Sequence, residues 1–545
     1  MTTNTETSAP YRSTVVTGRD GFLPLVRSEW TKFRTVRGWV IGMASAALIT
    51  VLIGILGPLG SNSQCVSSTG HACGPAQSPP LGPDGEPVTD DFSFVHQGVT
   101  GDGSITVRLS SMLGYHLALN AAGPAKSLAD MPRGLQPWAR GGVIVKAGTT
   151  PGAPYVAVVA TGANGVRMES NFTSSKLAPG GTATGSAISP SSPQWLRLSR
   201  TGDSFTGYES ADGAHWTAIG TETVAGIPAS AQAGMLVSSP DHGSITHQFG
   251  LPSFDSSPSL AVATFDHVGF TGSWTGGTFT APPAGQQDNG PAGSALMQNT
   301  YTRSGGVFSV HGSGDISPDT SGSGGDRKSI ESGLIGAFAG LIALVVVATM
   351  FITSEYRRGL IRTTLSATPR RGSVLAAKSV VIAAVAFVVG LAAAGTAVPL
   401  VKSMEIGKGR YVLPASTATE LRVIVGTAVL LALVAVFAVA VGTLLRRGAG
   451  AVAAVIAMVV LPYVLAVASV LPAGTSQWLL RLTPAAGFAV QQSLLEYPGY
   501  AQATSGYTPA AGYYPLAPWA GLAVTCAYTA VAMGLATYVL RRRDV

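Results

Sequence analysis

Residues 353–378 read TSEYRRGLIRTTLSATPRRGSVLAAK, a strongly basic segment between two apolar runs, 332–354 and 379–401, that contain no Asp, Glu, Lys, Arg or His. A bilayer's hydrocarbon core is about 30 Å thick and takes roughly 20 apolar residues per helical crossing, so two such runs around an Arg/Lys cluster predict a cytoplasmic turn-around. As a helix, the segment places Tyr356, Leu360, Thr363 and Ala367 on one face and Glu355, Arg358 and Arg362 on another, the pattern of an amphipathic helix at the inner surface. Pro369 stops it, and Ser373 is a candidate N-cap for the helix that returns into the membrane.

The rest of the chain follows from that turn. It has 545 residues, 46% hydrophobic and 11% charged, against about 25% charged in ordinary soluble proteins, and this composition predicts a membrane protein. Further uncharged runs lie at 39–59, 423–445 and 519–540, and another begins at Gly448 with Pro462 near its middle. The fold class is therefore a polytopic helical membrane protein with six crossings. Basic residues set its orientation: fifteen Lys and Arg near the spans, from Arg27 to Arg543, fall on one side. The short loops of the other side hold five, Lys402, Lys408, Arg410, Arg422 and Arg481. The first side is expected to be cytoplasmic, with both termini, in the plasma membrane. The net charge of +7 is accounted for by that topology, with no call for a nucleic-acid partner.

Residues 1–20 are polar and aperiodic and read as a disordered cytoplasmic tail with no signal peptide. In residues 21–37, Val26, Trp30 and Phe33 share one helical face, predicting an interfacial helix that leads into the first span, 38–60. Residues 61–330 form a long polar insertion, and 331–545 carry five further spans, with the basic loop at 354–378 and an aromatic outer loop at 472–518. The insertion opens and closes on Pro/Gly/Ser-rich linkers, GPAQSPPLGPDGEP and SPDTSGSGGDRKS. Between them, short alternating runs (SITVRL, GVIVKAG, YVAVVATG, WLRLSR, SFTGYES, HWTAIG, AGMLVSS, ATFDHVGF) are separated by turns such as Thr201-Gly202-Asp203 and Ala211-Asp212-Gly213. They predict an antiparallel β-sandwich, with its core at about 90–272.

EYRRGLIRTTL at 355–365, then Pro369-Arg370-Arg371 and Leu375-Ala376-Ala377-Lys378, resembles the first cytoplasmic loop of permease subunits of type 2 ABC exporters, and LVRSEWTKFRTVRGW at 25–39 is similar to the helix that precedes their first span. The resemblance implies a coupling helix that docks on a separate ATP-binding subunit. It makes Glu355, Tyr356, Arg358, Gly359, Arg362, Thr364, Arg370 and Arg371 candidate coupling residues, supported by Glu29, Trp30 and Lys32. It also implies short re-entrant helices at the outer mouth, broken at Leu482-Thr483-Pro484-Ala485-Ala486-Gly487, and pairing of the permease with itself or a homologous subunit. Residues 138–270 resemble a concanavalin-like jelly roll, which implies binding of carbohydrate or cell-wall polymer; Trp195, Tyr208 and Trp216 are the candidate sugar contacts.

The uncharged spans leave no intramembrane group for ion coupling, and the chain has no GxxxxGK[ST] phosphate loop, so energy is expected to come from a partner and no catalytic residue or cofactor is expected here. Asp84 and Glu86 are the one acidic pair of the insertion at alternate positions, and they lie in a linker, which argues against a glycosidase. The histidines show no zinc-like spacing, and Asp102 and Asp315 read as turn residues. Cys65 and Cys73, just beyond the first span, are candidates for a disulfide, and Cys526 in the last span reads as a buried packing residue. The alternative to a permease is a membrane-anchored wall or carbohydrate sensor without transport activity, for which one or two crossings would suffice.

Overall fold

The computed structural model describes residues 21–60, 79–118, 127–179, 185–248, 251–274, 277–280, 294–319, 327–357, 359, 371–408, 410–468, 470–497 and 512–542. Helix α1 (Phe22–Thr35) leads into α2 (Arg37–Gly60). After the inserted domain come α3 (Ala337–Arg357), α4 (Arg371–Gly407) and α5 (Thr417–Leu445). A broken span follows, made of α6 (Gly448–Val455), a π turn (Ile456–Val460) and α7 (Leu461–Val467), then the short α8 (Ala473–Leu482) and finally α9 (Pro518–Arg542). Six of these segments are long and apolar enough to cross a membrane. Helix α5 is the centre of the bundle and packs on α3, α4 and α9. Close approach rests on small residues: a Cβ at Gly390 of α4 would come within 2.9 Å of the Ala428 backbone in α5, and one at Gly340 of α3 within 2.0 Å of Thr50 Oγ1 in α2.

The helices run past the uncharged stretches that announce them. At about 1.5 Å per residue, α4 with its 37 residues spans roughly 55 Å, well beyond the hydrocarbon thickness. It therefore contains Lys378 near one end and Glu405 near the other, and α3 contains Glu355; all three side chains are buried. Helix α4 already begins at Arg371, so Ser373 lies inside its first turn and is not the N-cap. Pro462, which has no N–H to donate, sits two residues beyond the end of the π turn that interrupts the fifth span. The chain breaks again after Leu482, where Thr483 is extended and a wholly buried 3-10 turn, Pro484–Gln491, follows. Cys526 is exposed and not buried. Only the face of α9 carrying Leu522, Thr525, Thr529, Ala532 and Ala536 packs inward, and Cys526 falls off that stripe.

The inserted domain is a two-sheet sandwich. Its seven-stranded antiparallel sheet runs in the order Thr217–Thr223, Ser204–Ser210, Gln194–Thr201, Gly103–His116, Ser259–Gly272, Val307–Gly312, Thr300–Ser304. The six-stranded sheet runs Ser93–Thr100, Ser230–Ser238, Arg140–Lys146, Tyr155–Thr161, Val166–Ser170, Ser174–Leu177. Ile105, Val107, Leu196, Leu198 and Phe205 of the first sheet meet Val143, Val145, Val156, Val158 and Met235 of the second in one core. The tight turns work through glycine: Gly202 (φ 61°) and Gly213 (φ 76°) take the left-handed conformation that a side chain would resist.

The back of the six-stranded sheet is covered as well. Strand Val88–Asp90, at the start of the domain, pairs with Ile316–Pro318 at its end, and Val88, Phe92 and Ile316 pack on Phe94, Ile144, Tyr155 and Leu236. Two buried cations of the sheet, Lys146 and Arg140, fix this closing ribbon to it. Lys146 binds Asp90, and Arg140 binds Glu169 at 2.9 Å and Asp315 at 2.5 Å. Asp315 is thus an ion-pair partner and more than a turn residue. Beyond the ribbon, Arg327–Lys328 pairs in parallel with Tyr411–Val412 between α4 and α5, so the base of the domain is joined to the bundle.

Candidate functional site

Helix α1 bears Glu29 and Lys32 one turn apart, and both face the bundle where α3 ends and α4 begins. Lys378 Nζ lies 2.5 Å from Glu29 Oε2 and 2.6 Å from Glu355 Oε1. Lys32 Nζ completes the ring, 2.7 Å from Glu29 Oε1 and 3.4 Å from Glu355 Oε1. Two carboxylates and two ammonium groups cancel in charge, and three of the four side chains are nearly inaccessible: Lys378 1%, Glu29 2% and Glu355 6% exposed. Lys32 sits at the rim. Burial alone would depress its amine, but hydrogen bonding and charge from Glu29 and Glu355 outweigh burial and hold it above the ordinary lysine range. Burying such ions is costly unless each is paired, so the quartet is stable only while α1, α3 and α4 stay together.

Aromatic packing seals the quartet from the apolar side. Phe33 of α1 lies 5.9 Å from Phe351 of α3, Trp39 of α2 lies 5.0 Å from Phe351, and Lys378 Nζ stands 4.8 Å over the Phe351 ring. Trp30 stacks on Phe33 at 6.2 Å and remains 45% exposed. Tyr356 packs under Arg446, whose guanidinium is 5.4 Å from the ring centroid at the end of α5. Among the described residues, neither Tyr356 Oη nor Glu355 Oε2 has a hydrogen-bond partner, although both are buried.

Of the residues singled out in the sequence, Glu29, Lys32 and Glu355 meet in one cluster with Trp30 and Tyr356 beside it. Gly359, with φ 65°, follows α3 at the start of the turn, and Arg371 opens α4 and donates from Nη1 to Leu540 O of α9 at 3.1 Å. Arg358, Arg362, Thr364 and Arg370 lie outside the described residues, as do Cys65 and Cys73. The residue missed as a site member is Lys378, the hub of the cluster. Its signal is legible: it is the one cation in α4 between Arg371 and Lys402, and a lone ammonium in an apolar helix requires a partner.

In the inserted domain, Trp195 and Tyr208 are half-buried on neighbouring strands of the seven-stranded sheet, and Trp216, also half-buried, immediately precedes its edge strand Thr217–Thr223. Trp216 donates from Nε1 to Gly213 O at 3.1 Å, and Arg197 covers one of its faces with the guanidinium 3.9 Å from the ring centroid. Asp212 and His215 form an exposed pair at 2.7 Å in the adjoining turn, which holds Asp212 below and His215 above their ordinary ranges. Among the described residues, no group of three or more His, Cys, Asp or Glu is placed to hold a metal ion.

Six spans with a β-sandwich inserted after the first, and a charged cluster at the helix ends opposite that domain, define a polytopic helical membrane protein with an extramembrane module. The profile of the ABC-2 family of transporter proteins matches residues 106–545, most of the chain, and the chain belongs to that family. No curated protein matches it. Solved structures with some likeness include SCP-B, a member of the Eqolisin family of peptidases in a complex with the tripeptide Ala-Ile-His (8% identity, 41% of this chain and 98% of that one, TM-score 0.25). Scytalido-glutamic peptidase with a peptide-based transition state analog gives 9% identity over the same shares and TM-score 0.25. A functionally unknown protein from Saccharomyces cerevisiae gives 11% identity, 32% of this chain, 72% of that one and TM-score 0.16. Likenesses of this size carry no conclusion about fold or activity.

Proposed function

We propose that this chain is the membrane subunit of an ABC-type exporter, moving its substrate across the plasma membrane with ATP hydrolysed on a separate cytoplasmic subunit. Membership of the ABC-2 family supports a permease that works with an ATP-binding partner and is not itself a catalyst. The observation that carries the mechanical part is the quartet of Glu29, Lys32, Glu355 and Lys378. It joins α1 to both helices that flank the basic turn, so a push on that turn is received by α1, α3 and α4 as one body. Arg358, Arg362, Thr364 and Arg370 would form the docking face on that turn, with Glu355, Tyr356, Gly359 and Arg371 at its two roots. Two copies of the permease, or one copy with a homologue, would complete the pore.

The proposed orientation puts the quartet in the cytoplasm and the sandwich outside. Basic residues at the sandwich end are locally answered: Lys402 pairs with Glu420, Arg410 with Glu405, Lys408 donates to Pro58 O and Arg422 to Gln492 O. The orientation rests on the count of basic residues, five in the short loops of this end against fifteen near the spans at the other, which supports an inward position for the other end. A cysteine placed at Ser366 should react with a membrane-impermeant maleimide only after the cells are opened; labelling in intact cells would reverse the topology.

The docking claim is tested by capturing the chain from detergent together with its ATPase. Replacing Arg358 and Arg362 with Glu reverses the charge of the proposed docking face, and retention of the ATPase is expected to fall about tenfold or more. Unchanged retention would move the docking face elsewhere, and a capture that yields no ATPase at all would favour a membrane anchor. For the sandwich, carbohydrate or wall polymer is the proposed ligand class, with Trp195, Tyr208 and Trp216 as its platform.

A further inference from the structure

The two outer faces of the sandwich differ. That of the six-stranded sheet lies under the closing ribbon. On the seven-stranded sheet, Trp195, Arg197, Ser199, Thr206 and Tyr208 point outward from Gln194–Thr201 and Ser204–Ser210, partly exposed and alternating with the buried Leu196, Leu198, Phe205 and Gly207. Arg197 is central to that patch, with Tyr208 opposite it in register on the next strand. Its guanidinium is held on two sides: Nε donates to Thr106 Oγ1 at 2.9 Å, and the group stacks 3.9 Å from the centroid of the Trp216 ring. Trp216 is fixed in turn by Gly213 O, and Gly213 is pressed on Trp195, where a Cβ would come within 2.7 Å of the ring. The neighbouring arginines are saturated. Arg108 binds Asp266 through two hydrogen bonds at 2.6 and 2.8 Å, and Arg200 donates to Gly202 O, Pro228 O and Ile227 O. Arg197 is different: among the described residues, its two Nη groups meet no carboxylate and no other acceptor, although burial pulls the group below the ordinary arginine range. A guanidinium that is always charged, partly removed from water and fixed in place is prepared for an acceptor with two oxygens.

We propose that this face binds an acidic glycan, the carboxylate of a uronic acid residue being received by the two Nη groups of Arg197 and the adjoining sugar rings lying along Trp195 and Tyr208. A planar carboxylate matches the paired N–H groups of a guanidinium, and the C–H face of a sugar ring matches an aromatic one. Thr206 and Thr221, whose hydroxyls pair at 3.0 Å beside Tyr208, add donors and acceptors for sugar hydroxyls. The charge of the module narrows the class further. Residues 61–330 contain 18 Asp and Glu against 12 Lys and Arg, so a polymer with a carboxylate on every ring meets overall repulsion, and one whose acidic rings alternate with neutral ones is favoured. This inference rests on the reading of the sandwich as a glycan-binding module, and adds the charge of the ligand and the residue that reads it.

The full chain in detergent is to be titrated calorimetrically, at about 0.15 M salt, with a hyaluronan hexasaccharide, in which glucuronate alternates with a neutral sugar, with neutral chitohexaose and with hexagalacturonate. The expected result is tightest binding of the hyaluronan fragment, with affinity about tenfold or more lower in R197Q because a charge-assisted bidentate contact is lost. R197K keeps the charge without the fork and should recover only part of it. S199E sets a carboxylate two residues from Arg197 on the same face. It should lose the hyaluronan fragment while Arg197 remains, and it keeps the test decisive if R197Q does not fold. S309E adds the same charge to the outer face three strands away, about 14 Å and beyond the screening length, and should bind as the parent does. Equal affinity for chitohexaose, tighter binding of hexagalacturonate, unchanged affinity in R197Q or S199E, or an equal loss in S309E would each overturn the site while leaving the glycan reading intact. Absence of binding by all three glycans would overturn both.

Discussion

Replacing Lys378 with Ala is expected to release α1 from the bundle. Its ammonium is 1% exposed and serves two carboxylates at 2.5 and 2.6 Å, so truncation leaves Glu29 and Glu355 buried around a space with only the rim residue Lys32 to answer them. Removing one partner of a buried ion pair costs about 3–5 kcal/mol, mostly because the surviving charge stays desolvated. The loss should appear as a lower Tm and as faster protease cleavage near α1. Replacing all three buried members together, E29Q/E355Q/K378M, removes the stranded charge and should recover most of the Tm, because the cost lies in the imbalance and not in the absence of ions. A K378A protein that melts like the parent and keeps α1 protected would refute the quartet as a structural link.

Arg140→Ala should be as damaging to the inserted domain. Arg140 is 1% exposed and holds Glu169, which is equally buried, together with Asp315, so the variant strands one carboxylate in the core and frees the closing ribbon at its second strand; a cost of about 3–5 kcal/mol is expected. The pH dependence distinguishes this from simple loss of packing. Burial already pushes the Glu169 carboxyl above its ordinary range, against the opposing pull of Arg140 and Arg167. Without Arg140 it rises further. A carboxyl whose folded value lies above its unfolded value favours folding below the unfolded value and loses that advantage as pH rises toward the folded one. The Tm deficit of R140A relative to the parent should therefore be smaller near about pH 5 than near about pH 8. A deficit independent of pH would mean that Glu169 is not left charged in the core.

Much of the architecture is readable in the chain because both solvents write in simple periods. Uncharged runs mark the spans, and alternating runs such as WLRLSR mark strands with one buried face. GVIVKAG and YVAVVATG are different: their apolar residues are continuous because both faces of their sheet are covered. The cover comes from Val88–Asp90 and Ile316–Pro318, three-residue strands inside or beside stretches that read as linkers, paired across more than two hundred residues. No local pattern announces a contact of that range. The same holds for the quartet. Glu29, Lys32 and Glu355 stand out in their own segments, but Lys378 pairs with Glu29 at a separation of 349 residues, and reading each span only as far as its first charge places Lys378 outside the membrane helix that contains it.

Because the ribbon of Val88–Asp90 and Ile316–Pro318 brings the two ends of the sandwich side by side, the permease meets this large module as it would a short hairpin loop. A module whose chain enters and leaves side by side can be carried without stretching the helices beneath it. The membrane bundle and its inserted module are thus free to diversify at different rates.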